Sequence, residues 1–209
     1  MSFKHIQRYF LYAGILGFIA YALHDILGSL LYQGYNPASQ AVSDLTALNS
    51  PVLNVTQPLS FLYGVMSVLV MSTVVYVLRK NPSITLKQAI YGFLGMHLIS
   101  FVGYGLFPLS EAGQPNTFTD IMHIYAVTIP VVMLSIYALV CFIVFGQKQK
   151  EHTQLKYVAG LSLLMMFIGA MLSNLVHPSV FGIFERFSTY SAVLFTAYLG
   201  IYTNHKLTE

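Results

Sequence analysis

Six long apolar stretches constrain this chain more than any other feature of its sequence. They cover 10–32, 59–78, 89–107, 121–145, 157–176 and 181–202. Each is close to the length of about 20 mainly apolar residues that a helix needs to cross a bilayer. Because these stretches and short connections use up the 209 residues, the sequence predicts one all-α membrane domain, 1–209, with six transmembrane helices in one bundle.

The composition excludes a water-soluble fold. Hydrophobic residues make up 56% of the chain and charged residues only 8%, whereas soluble domains are about one quarter charged. We therefore expect an integral membrane protein whose main partner is the lipid bilayer. The basic residues are spread over the ends of the apolar stretches instead of forming one patch, which argues against nucleic acid as a partner.

The basic residues also indicate an orientation. Nine of the ten Lys and Arg residues fall at ends of the six stretches that would share one compartment. They are Lys4, Arg8, Arg79, Lys80, Lys87, Lys148, Lys150, Lys156 and Lys206. Because Lys and Arg in short loops stay on the cytoplasmic side, the sequence predicts a multi-pass cell-membrane protein with both termini in the cytoplasm.

The longest connection, 33–58, is then external. Asn36 followed by Pro37 is typical of a helix start. Apolar residues recur at helical spacing up to Leu48 and stop before Asn49-Ser50-Pro51. This pattern predicts a short amphipathic helix on the membrane surface with a polar side of Gln40, Ser43 and Asp44. A lid folded over a cavity between the spans is the alternative.

Polar residues gather at the opposite ends from the Lys and Arg residues. Five of the seven Asp and Glu residues and three of the seven His residues lie there. The candidates for a site are His24, Asp25, Asp120, His123, His177, Glu185 and Arg186, with Asp44 from the external connection. A carboxylate within an apolar span is costly, so such a residue usually faces a cavity or a partner.

Two chemistries suit this set of residues. In the first, His24, His123 and His177 bind a divalent metal such as zinc, with Asp25 or Asp120 as a ligand or general base. Glu185 and Arg186 would complete a hydrolase or transferase site for a lipid or another membrane-associated small molecule. Each residue also has a purely structural interpretation: Asp120, for example, could cap the fourth span.

In the second chemistry, His24 and Asp25 bind a proton or a cation in a small-solute transporter, with His97 further along the path. A non-catalytic membrane partner or sensor is the third alternative. In that case, replacing His24 or Asp25 would change stability but no turnover or flux.

At several of these residues the chain resembles a family of six-span prokaryotic membrane proteins known as domain of unknown function 998. The likeness covers almost the whole chain. It is carried by His24-Asp25, Tyr35-Asn36-Pro37, Ser39-Gln40, Ser43-Asp44-Leu45, Phe107-Pro108, His123 and Glu185-Arg186. Thr46 stands where the family commonly has glycine. The resemblance implies a helical fold in a prokaryotic cytoplasmic membrane and no established activity.

Overall fold

The computed structural model describes residues 3–111, 117–175 and 177–206. Within these ranges the chain is helical and has no strand. Its α-helices are α1 (Phe3–Leu31), α2 (Leu53–Leu78), α3 (Ile84–Leu106), α4 (Phe118–Ile121), α5 (Ile129–Lys148), α6 (Thr153–Leu175) and α7 (Phe181–Lys206). The all-α prediction is therefore confirmed.

Five helical segments of the described residues are long and apolar enough to cross a membrane. They are Gln7–Leu31, Leu53–Leu78, Ile84–Leu106, Phe118–Lys148 and Lys150–Leu172. The last predicted span corresponds to α7, which is 26 residues long but does not reach the same apolar level. Besides Glu185 and Arg186 near its start, its interior contains many Ser, Thr and Tyr residues, which lower its mean hydropathy.

The fourth apolar segment is one continuous helix with a change of winding. A π-helical stretch, Met122–Thr128, joins α4 to α5. Pro130 lies two residues after this stretch and has no N–H to donate, so the regular i to i−4 hydrogen-bond ladder cannot run through it. The side chain of Thr128 instead donates to the carbonyl oxygen of His123 at 2.9 Å. Such π segments inside α-helices occur frequently at functional sites.

The long helices form a closed bundle in chain order. α1 packs on α2, α2 on α3, α3 on α5, α5 on α6 and α6 on α7, and α7 returns to pack on α1 and α2. Three fully buried rings, Phe93, Phe142 and Phe195, meet at the centre. Their centroids lie 5.2 to 6.4 Å apart in edge-to-face arrangements, which are favourable for aromatic pairs.

The connections divide between two ends of the bundle. One end, which we call the cap end, contains residues 35–46. There the Leu48 N–H donates to the Leu109 carbonyl at 2.8 Å and the Ile183 N–H to the Ala38 carbonyl at 3.2 Å. The other end, which we call the basic end, contains the α2–α3 and α5–α6 connections with their Lys and Arg residues. There the amide of Asn204 donates to the hydroxyl of Tyr12 at 2.9 Å. The N-terminal half of α1 and the last turn of α7 therefore lie at the same end.

The predicted amphipathic helix in the first connection is wrong in extent and type. Only Val42–Thr46 is helical, and it is a 3-10 helix that packs on α1, α2 and α7. The Asn36 side chain accepts a hydrogen bond from the Ala38 N–H at 3.0 Å. Arg186 takes the carbonyls of Pro37 and Gln40, which a continuous helix would use internally. We call residues 35–46 the cap.

Candidate functional site

An ion pair between the first and last helices is the foundation of the site. Arg186 of α7 donates through Nη2 to Oδ1 of Asp25 at 2.8 Å, and through Nε to Oδ1 at 3.2 Å and to Oδ2 at 3.1 Å. Both side chains are largely buried, with 15% and 10% of their surface exposed. A forked Arg–carboxylate pair of this kind is directional as well as strong.

The same guanidinium holds the cap. Its Nη1 donates to the carbonyls of Pro37 at 2.7 Å and Gln40 at 3.0 Å, and its Nη2 donates to the hydroxyl of Tyr35 at 2.7 Å. Gly182, one turn earlier, permits this approach: a Cβ there would lie 2.3 Å from the Gln40 carbonyl oxygen. Arg186 therefore fixes the cap to α7 and α1.

Tyr35 is the cap residue whose side chain links the cap backbone to Arg186. Its hydroxyl donates to the carbonyl of Ala41 at 2.7 Å while accepting from Arg186. Burial raises the pKa of Tyr35 to about 12, so the hydroxyl keeps the proton that it donates throughout the physiological pH range. This contact should not respond to pH.

Glu185 stands next to Arg186 in sequence but has no matching cation. Its Oε2 accepts a hydrogen bond from the Val42 N–H at 3.1 Å. Within the described residues it forms no ion pair. Asp25 and Asp44 lie within electrostatic range of its carboxylate. Asp25, Asp44 and Glu185 thus bring three carboxyl groups close to the guanidinium of Arg186.

His24 is the second unsatisfied group. It is only 3% exposed, and neither ring nitrogen has a hydrogen-bond partner in the described part of the chain. Asp25 and Arg186 act on it electrostatically. Buried polar side-chain atoms usually have a partner, so this imidazole needs an explanation. We call His24, Asp25, Glu185 and Arg186 the polar centre.

Tyrosines surround the polar centre, and none of them was among the site residues predicted from the sequence. The ring of Tyr21 lies 5.6 Å from the ring of His24, 4.9 Å from Tyr63 and 5.2 Å from Tyr190. Tyr190 donates its hydroxyl hydrogen to Oδ2 of Asp25 at 3.1 Å. Spacing was the available signal: Tyr21 precedes His24 by three residues and Tyr190 follows Arg186 by four, which places each pair on one helical face.

The three polar residues predicted for the cap differ in their environment. Asp44 is buried, with 4% exposure. The side chain of Gln40 accepts from the Asn36 N–H at 2.7 Å, and the carbonyl of Ser43 accepts from the Thr46 hydroxyl at 3.2 Å. Gln40 and Ser43 therefore act in the local fold of the cap, whereas Asp44 adds charge near Glu185.

Asp120 lies in a separate hydrogen-bond network that caps α4. Its carboxylate accepts from the N–H and hydroxyl of Ser110 at 2.7 and 2.6 Å, and from the N–H and hydroxyl of Thr117 at 2.8 and 2.7 Å. With Thr117 it forms a capping box. These bonds use both carboxylate oxygens, and they match the structural interpretation of this residue.

His123 and His177 are each engaged in local contacts. The Nδ1 of His123 is 2.8 Å from the Phe107 carbonyl, and its ring packs on Tyr104. His177 is exposed and accepts from the Ser179 N–H at 3.3 Å at the start of a 3-10 helix. In the described residues no group of three His, Cys, Asp or Glu side chains is placed to hold a metal ion. The zinc site stays a prediction.

The polar centre is closed on the side of the bundle core. The Nε2 of His97 is 2.8 Å from the Thr196 hydroxyl, and its ring packs edge-to-face on Phe93 at 5.0 Å. His97 is therefore satisfied, unlike His24. Beyond it, the buried rings of Phe142 and Phe195 fill the interior.

A groove reaches the polar centre from the side of the bundle. It has a volume of 490 Å³ and lies between α6, α7 and the cap. Met165, Ile183 and Phe187 form apolar walls, and Arg186 and Tyr190 belong to its lining. Since Tyr190 also bonds to Asp25, a molecule in this groove would lie one side chain away from the acidic cluster.

Comparison with known proteins gives one match. A family model described as Protein of unknown function (DUF998) matches residues 15–202, which include the polar centre and the cap. No curated protein matches the chain. No solved structure matches it either.

Proposed function

Because the chain belongs to the DUF998 family of membrane proteins, whose description names no activity, we propose a function from the polar centre itself. The protein binds a cation, either a proton or a small protonated amine, beneath the cap. This binding is the first step of proton- or cation-coupled movement of a small solute. The observation that carries the proposal is the buried His24, which has no hydrogen-bond partner among the described residues, beside the carboxyl groups of Asp25 and Glu185.

The charge balance favours a cation over an anion. Asp25 is neutralised by Arg186, and the guanidinium is already occupied by Asp25 and by groups of the cap. An incoming anion would have no free donor on Arg186 and would meet the charge of Glu185. A cation would instead compensate Glu185, since an unpaired carboxylate away from water is costly.

His24 and the tyrosines suit the same class of ligand. A neutral imidazole nitrogen accepts a hydrogen bond from an ammonium group or takes up a proton itself. Tyrosine rings attract cations through their π faces, and Tyr21 packs against His24. The ligand would therefore meet an acceptor, a carboxylate and aromatic faces together.

The proposed topology has six spans, α7 included, with both termini in the cytoplasm. The basic residues at the basic end support this orientation through the positive-inside rule. The cap end then faces outward in a prokaryotic cytoplasmic membrane. In this arrangement the cap is an external cover, the groove beside α7 is the side entrance, and Phe93, Phe142 and Phe195 form the inner barrier.

Charge movement in proteoliposomes tests the proposal. A jump in pH, or in ethylammonium concentration, should give a transient current on a solid-supported membrane as the cation enters the protein. His24→Gln should reduce the displaced charge at least several-fold, because the basic imidazole nitrogen is lost while the side chain remains polar. His177→Gln is the matched control: this histidine is at the same end but exposed, and its current should equal that of the wild type.

Two results would contradict the proposal. The first is the absence of current after both jumps in protein that is folded by circular dichroism. The second is an equal current in the wild type and His24→Gln.

A further inference from the structure

A second cavity lies at the basic end, where neither the cap nor the polar centre takes part. It has a volume of 570 Å³ and opens between the α2–α3 turn and the α5–α6 turn. Ser83 and Thr85 line one side, and Lys148, Glu151 and His152 line the other. A cavity of this size falls within the range of about 300–1,000 Å³ that is usual for ligand pockets.

Basic residues surround this cavity. The segments 79–87 and 147–156, which contain the two turns, together hold six Lys or Arg residues and one acidic residue, Glu151. The six are Arg79, Lys80, Lys87, Lys148, Lys150 and Lys156. Positive charge at this end is also expected from the orientation of the protein in the membrane. A binding site must therefore be argued from the residues that line the cavity.

Of the six basic residues, Lys148 is the one that belongs to the cavity lining. Arg79 lies over the ring of Tyr76 at 4.1 Å, and Lys156 donates to the Gln147 side chain at 3.0 Å. Glu151 is 3.3 Å from Nε2 of His152. Lys148, in contrast, has no hydrogen-bond or ion-pair partner in the part of the chain that the structure describes. Its ammonium group is the uncompensated charge in the cavity wall.

The opposite wall offers neutral donors. The Ser83 hydroxyl accepts from the Leu86 N–H at 3.2 Å, so its own hydrogen remains available. The Thr85 hydroxyl makes no hydrogen bond among the described residues. The Lys148 ammonium group and the two hydroxyls are all donors, so together they suit a strong acceptor such as a phosphate oxygen.

We propose that this cavity binds the phosphate of an anionic phospholipid headgroup. The cavity lies where helices α2, α3, α5 and α6 end or begin, at the level where headgroups meet an apolar bundle. Basic pockets between transmembrane helices are known to receive such headgroups. Lys148 would hold the phosphate, with Ser83 and Thr85 as hydrogen-bond donors, while the acyl chains lie along the outside of the bundle.

Native mass spectrometry of the detergent-purified protein tests this proposal. Phosphatidylglycerol is added in one arm and phosphatidylcholine in another, and the lipid-bound fraction is measured at increasing collision energy. We expect phosphatidylglycerol to be retained several-fold better than phosphatidylcholine. Lys148→Gln should remove most of that preference, whereas Lys87→Gln, which removes one charge beside the cavity but not from its lining, should leave it intact.

Three outcomes would overturn the proposal. Equal retention of the two lipids would show no selection for an anionic headgroup. An equal loss in Lys148→Gln and Lys87→Gln would indicate general attraction to a basic surface. Displacement of phosphatidylglycerol by millimolar inorganic phosphate would identify free phosphate as the ligand. None of these outcomes depends on cation binding at the polar centre.

Discussion

Two adjacent residues of α7 have opposite roles in this account. Arg186 is fully engaged: its nitrogens bind Asp25, the cap carbonyls and the Tyr35 hydroxyl. Glu185 is held by one backbone N–H and has no cation of its own among the described residues. We therefore assign Arg186 and Asp25 to holding the cap in place, and Glu185 with His24 to binding.

The first prediction concerns the stability of His24 variants. His24→Leu should raise the free energy of unfolding by about 1–3 kcal/mol, because an unsatisfied buried polar group carries a penalty of that size. His97→Leu is the matched comparison and should lower it by about 0.5–1.5 kcal/mol, since the bond to Thr196 is lost. SDS denaturation followed by circular dichroism measures both.

A rise in stability together with loss of the proteoliposome current would identify His24 as a functional residue kept at a cost to the fold. If His24→Leu were instead less stable than the wild type, His24 would have a structural partner and the binding role would fail.

The second prediction addresses the metal site expected from His24, His123 and His177. Elemental analysis of the purified protein, beside His177→Ala, should give zinc well below one ion per chain in both, because His177 and His123 already make local contacts. Stoichiometric zinc that is lost in His177→Ala would contradict cation binding as proposed and would favour the metal-dependent enzyme.

At the scale of elements, close helix contacts position α7 and therefore the polar centre. A Cβ added to Gly169 of α6 would lie 2.4 Å from the Ser188 nitrogen and 2.6 Å from the Phe184 carbonyl oxygen of α7. In a membrane, helices associate mainly through such close packing of small residues. The α6–α7 contact also forms one wall of the groove beside the polar centre.

The third prediction follows from this contact. Gly169→Ala should destabilise the protein by about 1–3 kcal/mol, because the helices must separate to admit the methyl group. Gly160→Ala, in the same helix but with nothing within 4 Å of the added Cβ, should be neutral or gain about 0.5–1 kcal/mol from helix propensity. Equal destabilisation in the two variants, measured by SDS denaturation, would argue against the close packing of α6 on α7.

The long helices could be predicted from the sequence, whereas the structure of the cap could not. Long apolar segments predict helices well, because a backbone in lipid must satisfy its hydrogen bonds internally. The cap was mispredicted because its carbonyls bond to Arg186, more than 140 residues away in sequence, and no local pattern contains that information. His24 and Glu185 were found as ionisable residues in apolar surroundings, but their lack of partners is visible only in three dimensions.

At the scale of the whole molecule, function depends on which side of the membrane the cap faces. The fourth prediction tests this by labelling intact cells with a membrane-impermeant thiol reagent. With Cys141 replaced by alanine, Gln33→Cys beside the cap should react, and Lys150→Cys at the basic end should react only after the membrane is opened. The opposite pattern would reverse the orientation and expose the polar centre to the cytoplasm.

Removing the negative charge of Glu185 is the most direct test of the central claim that a cation binds beneath the cap. Glu185→Gln keeps an oxygen for the Val42 N–H but removes the negative charge, and Glu111→Gln removes an exposed charge from the same end. After a pH or ethylammonium jump, the displaced charge in Glu185→Gln proteoliposomes should fall at least several-fold, while Glu111→Gln matches the wild type. A current of wild-type size in Glu185→Gln would contradict the account.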